Sequence, residues 1–287
     1  MPLGSSYKSQ HCKRFSQREN FEFRGTMSIK LYHSGLSTCS KQVRHCLREK
    51  KIDYESCYVE LWRYENLSAP YLAINPNGVV PTLVHNGTPI INAFCIMEYI
   101  DDVFPETPLR PTDAFERARS RYWSWTADDI HAVLARITFV KFLKSKVDEL
   151  SSDDQALMLK HTPTPERRAR WQQLVDGGYT ELQSRADRES VVFLLTRMEK
   201  ELNDRGPWLV GSDFSLGDVS MLAMYHRISE VLPAILDDQK IPELKAWWER
   251  AMQRPATRAV YCEGPETPAR PQRKSVAGIF DYRTKST

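Results

Sequence analysis

The chain has 287 residues, 27% charged and 41% hydrophobic, the balance of a soluble globular protein with one large or two modest domains. No apolar run approaches the ~18 residues that cross a bilayer, so the sequence predicts no transmembrane helix and no membrane partner. The net charge of +3 sits at the ends: residues 1–26 carry five Lys/Arg against two Glu, residues 262–287 five against three acids, and the remainder is slightly negative, with no nucleic-acid footprint.

The six cysteines (Cys12, Cys39, Cys46, Cys57, Cys95, Cys262) form no CxxC pair and show no zinc spacing. They read as reduced thiols of a cytoplasmic protein without a metal site.

Residues 1–26 are rich in Ser, Arg and Gln and lack an apolar core, so they are expected to be a disordered extension, or the product of a start codon upstream of Met27, and not a secretory signal. Ile29 to His33 reads as a buried strand, and Gln42 to Leu47 has helical spacing. Between them lies Ser37-Thr38-Cys39-Ser40, where a strand hands over to a helix. Backbone N–H groups and the positive helix end stabilise a thiolate at such a place. A second strand follows at Tyr54 to Val59, then a polar crossing segment.

Asn75-Pro76-Asn77-Gly78-Val79-Val80-Pro81-Thr82-Leu83 brings a proline into an apolar run. That is poor strand chemistry unless the bond is cis and presents Val80 to a peptide-like ligand. Asn86-Gly87 between apolar residues predicts a hairpin, and Ile96 to Ile100 a helix. The order βαβ then ββα is a thioredoxin-like layout.

Pro105, Pro108 and Pro111 punctuate a linker, and about 150 helical residues follow. Phe115, Ala118, Tyr122 and Trp125 are spaced as a buried face, and Val192, Leu195, Met198 and Leu202 as another. Thr162-Pro163-Thr164-Pro165 interrupts the helical pattern. Ser215-Leu216-Gly217-Asp218 is a capping box, and the last clear helix begins at Leu244 and ends near Arg254-Pro255.

These motifs, in this order, resemble the cytosolic glutathione S-transferases over about residues 27–261. Leu31-Tyr32 with Ser37 to Ser40 and Val43-Arg44 resembles the zeta-class signature, shared with tetrachlorohydroquinone reductive dehalogenases. Glu98-Tyr99-Ile100 and Asp102 to Pro111 resemble the bacterial aryl β-ether-cleaving members, and Val210 to Asp218 the family's C-terminal capping motif. The resemblance implies an α/β thioredoxin-like unit over 27–106, an all-α substrate-binding unit over 112–261, a flexible tail over 262–287, and a homodimer. It implies glutathione as co-substrate and a small hydrophobic electrophile as partner.

By resemblance Ser37 is the catalytic serine that holds the glutathione thiolate; on its residue type alone the plain N-cap is the preferred reading. Thr38 is a second possible donor. Val80 would pair its backbone with the glutathione cysteinyl group, with Pro81 fixing the geometry. Cys39 is a second candidate catalytic residue, because in the dehalogenases a cysteine there forms a mixed disulfide with glutathione; the alternative is a small packed residue. The γ-glutamyl pocket departs from the family: an acid–serine pair is replaced by Asn92-Ala93, which brings no charge.

Trp123, Trp125, Asp128, Asp129 and His131 are expected on the helix beside the thiolate, the aromatics as core ahead of a ligand platform and His131 as a leaving-group polariser or an ordinary surface histidine. Arg119 and Arg121 are candidate carboxylate ligands, or an exposed face. Asp218 is expected to stabilise a buried cap. The expected reaction is thiolate attack on an electrophilic aromatic compound or aryl ether. Redox chemistry through Cys39, a zeta-type cis–trans isomerase and a non-catalytic binding protein are the alternatives.

Overall fold

The structure is a computed structural model that describes residues 28–236 and 240–262. The extension expected over 1–26, and the expected tail apart from Cys262, lie outside the described residues.

Strand β1 (Ile29–His33) alternates buried and half-buried side chains and leads into helix α1 (Thr38–Glu49). Strand β2 (Glu55–Tyr58) is followed by two 3-10 turns (Leu61–Arg63 and Glu65–Leu67) and the short helix α2 (Ala69–Leu72). Strands β3 (Thr82–His85) and β4 (Thr88–Ile91) and helix α3 (Ala93–Val103) complete this half. The sheet order is β2-β1-β3-β4; β1 is parallel to β2 and antiparallel to β3, and β3 is antiparallel to β4. The β3–β4 turn is the expected hairpin, with Asn86 at φ 50° and Gly87 at φ 81°. Both angles lie in the left-handed region that Asn and Gly tolerate best.

Leu31, Leu83, Val43, Leu47, Ile96 and Ile100 pack one sheet face against α1 and α3. The other face is smaller: Tyr32, Val59, Tyr71 and Val80 cluster against α2.

The second half is helical: α4 (Ala114–Phe142), α5 (Lys144–Asp148), α6 (Ser152–His161), α7 (Pro165–Val175), α8 (Glu181–Arg205), α9 (Leu216–Val231), α10 (Pro242–Met252) and α11 (Pro255–Tyr261). No described helix is long and apolar enough to cross a membrane. Its core is Trp123, Leu134, Leu195, Met198, Leu222 and Trp247 with their neighbours.

The inward face of α4 differs from the expected one. Phe115 is 65% exposed and Trp125 58%, whereas Ser120, Trp123, Ser124, Ala127, Ile130 and Leu134 are buried. The reason is the close approach of α9. Ser220 Oγ bonds Ser124 Oγ at 3.1 Å, and a Cβ on Gly217 would stand 3.1 Å from the Cβ of Trp123. Small residues let two helices meet there, and the aromatic stripe turns outward. In α8 Val192 is likewise exposed, while Val191, Leu194, Leu195, Met198 and Leu202 are buried. Helix α11, beyond the expected last helix, restarts with Pro255 in its first turn, a position where the missing N–H costs nothing.

Asp218 organises the start of α9. Its Oδ1 accepts from Leu209 N at 3.0 Å and Trp247 Nε1 at 2.8 Å; its Oδ2 accepts from Ser215 N and Ser215 Oγ, both at 3.0 Å. Burial raises its pKa, and these donors offset part of that rise.

Candidate active site

The loop between β1 and α1 carries Ser37 at the N-cap of α1, in extended conformation, with its Oγ accepting from Ser40 N at 3.2 Å. The capping role is therefore filled. A serine hydroxyl also has a proton to donate, so capping leaves it free to bind an anion in front of the helix. Thr38 is buried, and its Oγ1 accepts from Arg227 Nε at 3.0 Å. Arg227, on α9, also donates from Nη2 to the carbonyl of Leu36 at 2.5 Å and pairs with Glu230 at 2.9 Å. A helix of the second half thus clamps the loop that presents Ser37. Nothing in the local sequence around Arg227 signals this; the contact spans 189 positions.

Cys39 is partly exposed and leans against the core between α1 and α3. Burial, reinforced by the charge of Asp128, pushes its thiol up to about 12, and the charge of Arg227 only partly opposes this. Its surroundings therefore favour the thiol over the thiolate.

The Val80–Pro81 bond is cis. The carbonyl of Val79 is held by Tyr71 Oη at 2.6 Å and Asn75 Nδ2 at 2.9 Å. The pairing of β3 begins at Thr82, so the Val80 peptide groups stand outside the ladder. Asn66 Nδ2 fixes the Gly78 carbonyl at 2.8 Å from below.

Asn92 is the N-cap of α3 at φ 70°, and its Oδ1 accepts from Cys95 N at 3.2 Å. One lone pair of that oxygen is thereby used, and the Nδ2 donor remains for a carboxylate. Ala93 is buried and supplies a first-turn N–H to the same place.

On α4, Trp123 is 2% exposed in the core and Trp125 faces outward, so neither is a ligand platform in the cleft. His131 is half-buried, and burial with the charges of Arg170, Arg227 and Arg167 lowers its pKa to about 4. Asp128 and Asp129 are exposed. Arg119 pairs with Glu201 and Arg121 with Glu98, so both belong to surface ion pairs and not to the cleft.

A serine-capped helix after the first strand and a cis-proline loop leading into β3, on a four-stranded mixed sheet joined to a helical half, define a glutathione-transferase architecture. Two family models match, "Glutathione S-transferase, N-terminal domain" over residues 31–108 and "Glutathione S-transferase, C-terminal domain" over residues 180–255. Protein LigF of Sphingobium sp. strain SYK-6 is 29% identical over 242 residues, 82% of this chain and 93% of that one. The crystal structure of β-etherase LigF from that strain superposes with a TM-score of 0.77 at 28% identity, covering 83% of this chain and all of the other. Glutathione S-transferase Z1 of Arabidopsis thaliana is 38% identical over 94 residues, 33% of this chain and 42% of its own length. The theta-class enzyme of Xanthomonas axonopodis pv. citri, solved with glutathione bound, shares the fold at 22% identity and a TM-score of 0.62, over 85% of this chain and 99% of its own.

The chain belongs to the glutathione S-transferase family. It is a glutathione-dependent enzyme, with glutathione as co-substrate.

Proposed function

We propose that this enzyme cleaves an activated aryl ether. The glutathione thiolate attacks the carbon bearing the aryloxy group, a C–S bond forms, the C–O bond breaks, and the phenolate leaves and takes a proton from water. The observation that carries this reading is the likeness to LigF, named a β-etherase, over nearly the full length of both chains. The site fits the role: thiolate stabilisation and oriented binding are most of what such a displacement asks of a protein.

Ser37 donates its hydroxyl proton to the thiolate in front of α1. Val80 offers its free peptide groups to the cysteinyl part of glutathione. Asn92 Nδ2 and the Ala93 N–H take the γ-glutamyl carboxylate. With its proton retained, Cys39 is a neighbour of the reacting sulfur and not a nucleophile.

The N-terminal unit spans 27–106 and the helical unit 112–261. The protein works as a homodimer in the cytoplasm, where its five described, unpaired cysteines stay reduced. The face available to a second copy lies on α4 and α8: Phe115, Tyr122, Trp125, Val192 and Phe193 are exposed there. Arg197 joins the patch, with its guanidinium over the rings of Tyr122 and Phe193. Sedimentation of the wild type against Phe193→Glu tests the dimer, the variant being expected to run as a monomer.

The decisive assay supplies a β-aryl ether of a fluorescent phenol, with a carbonyl adjacent to the reacting carbon. Phenol release that requires glutathione is the expected result. No release by a protein that binds glutathione in a calorimetric titration would refute the ether-cleaving assignment.

A further inference from the structure

Helices α5 to α7 lie in the stretch, residues 109–179, that neither family model matches. They cover the turns before α2: the ring of Trp171 lies 6.4 Å from that of Tyr64, Lys146 Nζ sits 3.6 Å above the ring of Trp62, and Leu150 packs with Leu67. From α7, Arg167 reaches back to the cis-proline loop, its Nη1 donating to the Gly78 carbonyl at 2.9 Å, two residues before Val80. Arg170, one turn further on the same face, sets its guanidinium 5.7 Å from the ring of Phe139 on α4. Arg227 is held on Leu36 and Thr38 of the Ser37 loop. The charges of all three reach His131 on α4.

Among the described residues, neither Arg167 nor Arg170 has a carboxylate at ion-pair distance. Each feels another arginine, Arg170 for Arg167 and Arg136 for Arg170, and only the phenols of Tyr71 and Tyr179 act in their favour. Burial, then like charge, lowers Arg167 to about 10. Half-buried guanidiniums that repel one another are costly unless an anion completes the set. Arg167 spends one described bond of its five donors. A guanidinium fork matches a carboxylate.

We propose that Arg167 and Arg170 bind a carboxylate carried by the acceptor substrate, so that this enzyme takes an aromatic acid in preference to a neutral ring. This rests on the reading that the acceptor lies beside Ser37. The glycyl carboxylate of glutathione is the other source of the same chemistry. The acceptor is favoured because Arg170 stands against Phe139 and acts on His131, both on α4 of the helical half.

The test uses the full chain saturated with S-methylglutathione, which cannot transfer. Calorimetric titration compares 4-chloro-3-nitrobenzoate with its methyl ester. The wild type is expected to bind the acid at least ~10-fold tighter than the ester, from the worth of a charge-assisted pair. Arg170→Gln and Arg167→Gln/Arg170→Gln should lose that margin and keep the ester affinity. Arg170→Gln matters most, because Arg170 holds no described hydrogen bond whose loss would disturb the fold. Equal binding of acid and ester by the wild type overturns the proposal. So does a loss confined to S-methylglutathione affinity, which would assign the carboxylate to the glycyl end. Acid-selective binding by a protein that releases no phenol from the β-aryl ether with glutathione supports the carboxylate site and counts against the ether-cleaving reading instead.

Discussion

Replacing Ser37 by alanine separates two roles that share one oxygen. The structure gives the first directly: Oγ accepts from Ser40 N at 3.2 Å, and losing an N-cap costs about 1 kcal/mol of stability. For a chain of this size that lowers the melting temperature by about 2 °C. The second role is donation to the glutathione thiolate. Thr38 Oγ1 is buried beneath the Arg227 guanidinium whereas Ser37 is only half-buried, so Ser37 is the accessible side-chain donor at the helix end. A hydrogen bond to a charged group contributes ~1.5–3 kcal/mol, which is about one to two units in the pKa of the bound thiol. At neutral pH, Ser37→Ala should therefore lower kcat/KM by roughly 10- to 100-fold. The assay is ultraviolet titration of the thiolate of bound glutathione, run beside thermal melting. Ser37→Thr retains the hydroxyl and should recover most of both effects. An unchanged thiol pKa with a lowered melting point would refute the reasoning and leave Ser37 as a helix cap alone.

Cys39→Ser should leave glutathione-dependent turnover nearly intact, and at pH 7 Cys39 should be alkylated more slowly than the exposed Cys95, as followed by peptide mass spectrometry; its thiol, pushed up to about 12, is protonated there. Asp218→Ala should cost ~3–5 kcal/mol in urea unfolding, because three buried donors besides the Ser215 hydroxyl lose their acceptor. A loss below ~1 kcal/mol would show that water replaces the carboxylate. Burial alone would raise the pKa of Glu49, but its two bonds to Arg254 (2.8 and 2.7 Å) and its pairing with His45 carry it down to about 2. A depressed carboxylate contributes stability above its unfolded pKa and loses it as pH falls through the folded value. Glu49→Gln should therefore be ~2 kcal/mol less stable than wild type near neutrality, allowing for solvent screening, and the gap should close between about pH 4.5 and pH 2. A constant gap across that window would remove the ion pair from the account.

Local rules of the chain were enough for much of this protein. Asn86-Gly87 specifies a turn with two positive φ angles, Pro81 entering an apolar run marks the cis bond, and Ser215 with Asp218 marks the start of α9, because each is decided by neighbours within a few residues. Ser37 was legible in the same way, as a cap and as the serine the resemblance points to. The tertiary structure alone decided which stripe of α4 faces inward. Periodicity fixes the spacing of a stripe but not which of two stripes is buried. Here the outcome turned on Gly217 and Ser220 of a helix about a hundred residues away, which admit Ser120, Trp123 and Ser124 and leave Phe115 and Trp125 outside. The same holds for Arg227 on the Ser37 loop and Arg167 on Gly78, contacts that span 189 and 89 positions. No local pattern encodes them, since an arginine on a helix reads as a solvated charge until the fold brings a carbonyl to it.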